Sequence, residues 1–135
     1  WEIHETDNVL SELVGSRSVL IENRGNIESG CVITADVIRT CSDIKIVNAD
    51  TGEYIEMSGE WQSGCRLIID TRSGRKGVEC IYPDGTHEDV IYRLKWGSDF
   101  FSLPVGKCRL YAASSQGNGC LSVTVYFSER YRGIV

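Results

Sequence analysis

The sequence predicts an all-β fold, an antiparallel two-sheet β-sandwich with at most short helical segments. Three observations carry this expectation. Apolar and polar residues alternate along short runs, most clearly where Leu121, Val123, Val125 and Phe127 interleave with Ser122, Thr124, Tyr126 and Ser128. That is the period of a half-buried antiparallel strand. About nine such runs recur with turn-forming residues roughly every 8–12 positions, the rhythm of a sandwich or barrel. The spacing of strand, crossover helix and parallel strand is missing, which argues against a parallel sheet.

In chain order, residues 1–16 are read as a linker or short helix from a preceding domain, and 17–135 as the sandwich. Val9, Leu10, Leu13 and Val14 fall at helical spacing behind the candidate caps Thr6 and Asp7. Residues 18–23 form a β-branched run ended by Arg24-Gly25-Asn26. Residues 31–38 place Cys31, Ile33, Ala35 and Val37 on one face. Residues 43–48 and 54–58 flank Asn48-Ala49-Asp50-Thr51-Gly52, whose residues tolerate left-handed backbone, and the pair reads as a hairpin. Residues 66–71 and 78–82 are strands around the loop 71–77, and Pro83-Asp84-Gly85 ends the second. Residues 87–96 are expected to make a short helical turn with Val90, Ile91 and Leu94 inward. After a short strand at 100–103, residues 107–113 and 120–128 are expected to pair as a hairpin across the polar loop 114–119.

A chain of 135 residues is one domain, long enough to bury a core without staples. The charged fraction of 24% and hydrophobic fraction of 41% are those of an ordinary globular domain. A net charge of −5 speaks against nucleic acid as a partner. No apolar run approaches the roughly 18 residues of a membrane span, so no membrane insertion is expected. The N-terminus has no signal-peptide core, and with Trp1 in first place the chain reads as a piece of something longer.

Six cysteines, at 31, 41, 65, 80, 108 and 120, lie too far apart in sequence for a Cys-x-x-Cys knuckle or redox pair. Several sit in apolar strand patterns. They read as small buried hydrophobes kept reduced, an even count leaving a disulfide framework as the alternative. The unfolded, unreduced chain should then titrate close to six thiols.

Catalytic chemistry is poorly supplied. The two histidines are His4, near the terminus, and His87, beside Glu88 and Asp89. A Cys–His pair through His87 is formally open, with a solvated loop histidine the plainer reading. No nucleophile elbow, phosphate-cradling loop or His-Glu-x-x-His pattern occurs, so no enzyme, cofactor or metal is expected. The aromatics point instead to binding. An exposed ring on a sandwich stacks on the C–H face of a sugar. Trp61, between Gly59 and Gly64, is the candidate for saccharide binding, with core filling as its alternative; Trp96, beside Phe100 and Phe101, is assigned to the core.

Several stretches in order resemble one family. They are 43–48 followed by Thr51-Gly52-Glu53; 66–71 followed by Lys76-Gly77-Val78; Ser98-Asp99-Phe100-Phe101-Ser102-Leu103; and Arg130-Tyr131 with Gly133-Ile134. Together, over about residues 18–135, they resemble the C-terminal domain of siphovirus-type phage distal tail proteins. The pattern departs at Pro104-Val105-Gly106-Lys107-Cys108, where the family's side-chain amide is missing, so no role is carried to that position.

The resemblance implies a galectin-like sandwich, similar to a carbohydrate-binding-module jelly roll. It implies a non-enzymatic structural module of a phage or prophage distal tail (baseplate hub) protein, offering a docking surface to tail-tip or receptor-binding components. It places the protein at the distal end of the virion tail, assembled in the bacterial cytoplasm beside other tail and baseplate proteins. The full-length protein is expected to form a homo-hexameric ring through a preceding domain, with this piece monomeric. The alternative is a carbohydrate-binding module for a bacterial cell-surface saccharide.

Overall fold

The computed structural model describes the backbone of residues 2–14, 18–114 and 121–133, and the side chains of residues 20–114 and 121–127. In these residues ten strands form two antiparallel sheets. They are β1 (Glu2–Val14), β2 (Ser18–Asn23), β3 (Cys31–Val37), β4 (Cys41–Asn48), β5 (Tyr54–Trp61), β6 (Arg66–Asp70), β7 (Gly77–Ile81), β8 (His87–Asp89), β9 (Gly106–Ala113) and β10 (Leu121–Gly133). One sheet runs β1-β10-β3-β6-β7-β8 and the other β2-β9-β4-β5. A single 3-10 turn, Ile91–Arg93, follows β8. No helix among the described residues is long and apolar enough to cross a membrane. The expected sandwich is the observed one.

Alternation builds the core. In β3 the buried positions are Cys31, Ile33, Ala35 and Val37; β6 adds Leu67 and Ile69, β7 Val78 and Cys80, and β10 Leu121, Val123, Val125 and Phe127. Ile21, Ile44, Ile46, Ile55, Met57, Cys108, Leu110 and Ala112 meet them from the other sheet, with Phe101 and Leu103 in the same cluster. Each such aliphatic side chain contributes about 1.5–3 kcal/mol when taken out of water. The expected pairs β4·β5 and β6·β7 both form, in register Ile46↔Ile55 and Ile68↔Glu79.

The turns that carried the family resemblance have structural tasks. Asn48 is fully buried, and its Oδ1 accepts the N–H groups of Asp50 (3.0 Å) and Thr51 (3.3 Å), fixing the β4–β5 turn. Thr71, also buried, accepts the Cys31 N–H at 2.8 Å, while its own N–H donates to the Cys31 carbonyl at 2.8 Å. Ser98 Oγ accepts the Glu56 N–H at 3.0 Å. The side chains of Arg130 and Tyr131, and all of Ile134, lie outside the described residues.

Four expectations are corrected. Glu2–Val14, expected as a linker or short helix, is a strand paired with β10 from Glu2↔Gly133 to Val14↔Ser122. A bulge at Leu10 inserts an extra residue, which interrupts period 2 and leaves apolar spacings that imitate a helix. The hairpin expected between 107–113 and 120–128 does not form: β9 pairs with β2 and β4, and β10 with β1 and β3. Each strand buries one face in the common core from opposite sides, and alternation alone does not say which sheet a strand joins. Residues 100–103 make one isolated bridge, Ser29↔Leu103, in place of a strand. The short helical turn expected at 87–96 is the 3-10 turn Ile91–Arg93, preceded by the three-residue β8, with Val90 buried and Leu94 packed on the core as expected; the correction is Ile91, which points to solvent.

Candidate docking surface

The outer edge of β5 organises the candidate site. β5 ends at Trp61, whose side chain is only 2% exposed. Its Nε1–H donates to the Met57 carbonyl at 3.3 Å. The Arg93 guanidinium lies 3.5 Å from the indole centroid, while its Nε donates to the Ser58 carbonyl (3.1 Å) and Nη2 to the Glu60 carbonyl (2.8 Å). A planar cation held this way is both a lid on the ring and a cap on two edge carbonyls. Trp61 therefore offers no face to a sugar, which corrects its expected role in saccharide binding. The flanking glycines suggested an open turn for the wrong reason. A Cβ on Gly59 would lie 2.5 Å from Arg93 Nη2, and one on Gly64 2.9 Å from Pro83 Cγ. Both glycines admit close packing.

Beyond Arg93 the chain pairs with the β5 edge by backbone bonds. The Lys95 N–H donates to the Glu56 carbonyl and the Asp99 N–H to the Tyr54 carbonyl, each at 2.8 Å. Between these pins Ser98 N–H closes a turn onto the Lys95 carbonyl at 3.1 Å. Gly97, third in that turn, has φ +94°, as a type II turn requires. Trp96 is second in the turn and 95% exposed, which corrects its assignment to the core. Tyr92 (71%) and Ile91 (41%) are exposed on the same segment. Sequence reasoning missed this tip. The readable signal was Trp-Gly, a turn pair that throws the first side chain outward.

Charged side chains of both signs lie along the segment that carries the tip. Asp89 Oδ1 accepts the Ile91 N–H at 3.0 Å, and Lys95 reaches Glu56 at 3.3 Å. Tyr82 donates a short hydrogen bond to Glu88, which together with burial drives the phenol well above its usual range. His87, the one catalytic candidate with a described side chain, is exposed on β8 and contacts Glu79; the cysteines it would need are on the buried side. His4 lies outside the described side chains. No cluster of three or more His, Cys, Asp or Glu suited to a metal occurs among the described residues.

Cys31, Cys41, Cys65, Cys80 and Cys108 are all buried, and Cys120 lies outside the described residues. Burial pushes the Cys31 thiol up to about 11, against a lowering contact from Thr71. Burial, then the neighbouring Cys65, takes Cys80 to about 11 as well. Such thiols are poor nucleophiles at neutral pH.

Comparison with known proteins agrees with the fold. The model of the family described as "Siphovirus-type tail component, C-terminal domain" matches residues 24–131. A crystal structure of the SPP1 Dit (gp 19.1) protein, described as a paradigm of the hub adsorption apparatus in Gram-positive infecting phages, is similar in fold. Its TM-score is 0.74 at 12% identity, over 96% of this chain and 49% of that one. The chain thus spans about half the length of that solved protein. No curated protein matches.

Proposed function

The chain belongs to the siphovirus-type tail component family, as its C-terminal domain, and on that premise we propose that it serves as a docking module of the distal tail. In this reading it is a non-enzymatic part of the baseplate hub protein, and its exposed surface receives tail-tip or receptor-binding components. The complete protein forms a homo-hexameric ring at the tail end and is assembled in the bacterial cytoplasm.

The family match over residues 24–131 carries the proposal. The site supports it: the described histidine is an exposed surface residue against Glu79, the described cysteines are buried, and one tip on a pinned turn presents exposed aromatic surface. The alternative, saccharide recognition, loses the residue it rested on, because Trp61 is sealed under Arg93.

Gold labelling of intact particles with an antibody raised against this domain tests the reading. Label at the end of the tail away from the capsid is the expected result. Label on the capsid, or purified particles lacking the protein, overturns it.

A further inference from the structure

We propose that Trp96 is an insertion knob, and that it enters an apolar pocket rimmed by basic side chains on another protein of the tail. This rests on the docking role proposed above and names where docking happens and what it requires of the partner.

The argument starts from the degree of exposure. A side chain 95% exposed has both ring faces clear of its own protein. Sites for small ligands and single sugars are concave, with polar groups converging beside the ring. Here the molecule supplies no wall, so the concavity must belong to the partner. Tryptophan is enriched among the few residues that dominate protein interfaces. Tyr92 and Ile91, also exposed, widen the apolar contact on the same segment.

Rigidity is the second observation. The turn is pinned on both sides by backbone bonds to Glu56 and Tyr54, by Ser98 Oγ accepting the Glu56 N–H, and by Gly97 at φ +94°. Arg93, just before it, is fixed by two carbonyls and the Trp61 ring. The backbone that carries the knob is held in place before any encounter, so binding has only the indole's own rotamers left to order.

Charge identifies the rim. Between residues 88 and 99 the acids are Glu88, Asp89 and Asp99 and the cations Arg93 and Lys95. Arg93 is turned into β5, and Lys95 is paired with Glu56. The described ion pairs leave the three acids without a cation, and Lys45, held 4.4 Å from the centroid of the Tyr54 ring, offsets only one of them. Complementarity therefore calls for lysine or arginine around the receiving pocket.

The test uses the full-length protein in particles, with a photo-crosslinking phenylalanine analogue at position 96 and, as a control, at exposed Val105. Irradiation should join position 96, and not 105, to a different tail protein, at a peptide lining an apolar pocket beside Lys or Arg. Against that purified partner, Trp96→Ala in the full-length protein should weaken binding at least about 30-fold. Tyr92→Ser should weaken it less, and added salt should weaken the wild type, with thermal stability unchanged in both variants. The proposal is overturned by an adduct to a second copy of this chain, by no adduct in particles that contain the protein, or by unaltered affinity of Trp96→Ala. Loss of particle binding to purified cell-wall polysaccharide in Trp96→Ala, with partner affinity intact, would overturn it in favour of a sugar. Particles lacking the wild-type protein would remove the tail reading itself, and the knob with it.

Discussion

Trp61 and Trp96 flank the same strand edge and have opposite fates. Trp61 closes β5, hidden beneath Arg93; Trp96 stands on the turn that the following segment makes against that edge. The indole is the same and so is the neighbourhood. The difference lies in what the backbone does next to each ring. Gly59 lets a guanidinium approach until the ring is covered, whereas Gly97 reverses the chain so that nothing can follow the ring outward. Burial here is decided by the loop residues, and the tryptophans obey.

The largest expected effect tests that contrast directly. Trp61→Ala should cost about 3–5 kcal/mol of stability, as large-to-small changes of core aromatics do. Trp96→Ala should stay within about 0.5 kcal/mol of wild type, as for surface positions. Urea unfolding of the two variants measures both, and comparable losses would end the distinction. Arg93→Ala comes next. It removes the lid from Trp61 and strands the Ser58 and Glu60 carbonyls, for a loss of about 2 kcal/mol. Arg93→Lys should recover only part of this, because a point charge cannot span two carbonyls and stack on a ring.

Gly97→Ala probes the other side. A left-handed backbone costs a residue with a Cβ roughly 1–2 kcal/mol, and the new methyl would sit 2.7 Å from the Tyr54 hydroxyl. Stability should fall by about that amount. The turn should shift as well, so amide exchange at Ser98 and Asp99 should quicken while the β3 and β6 amides stay protected.

How much of this was readable beforehand differs by element. β3, β6 and β7 alternate without interruption and fell where period 2 put them. The β4–β5 hairpin was legible because Asn48 and Gly52 write their turn into local chemistry. β1 was hidden by one bulge at Leu10, and the partners of β9 and β10 by the symmetry of a two-sheet core, since a strand with one apolar face suits either sheet. The family motifs fixed the fold and said nothing of a site, because Asn48, Thr71 and Ser98 are occupied in holding loops. The tip was missed for a related reason, although Trp96-Gly97 carried a turn signal. Trp96 neighbours Phe100 and Phe101 in sequence, yet only Phe101 is fully buried, because the Asp99 N–H is tied to Tyr54 and the chain turns back there.

The smallest effect leaves stability untouched and still separates the two rings. Acrylamide quenching reads the access of small solutes to each indole. With Trp1 replaced by Phe throughout, so that only these two rings emit, replacing Trp96 by Phe should remove the more readily quenched and more red-shifted part of the emission. Replacing Trp61 by Phe should remove a blue-shifted part that quencher barely reaches, because protein interiors are packed too densely to admit it. Adding Arg93→Ala should move the Trp61 component towards the accessible class without altering that of Trp96. If Trp61 stayed shielded once Arg93 was gone, the guanidinium would be a passenger, and the sheets alone would account for its burial.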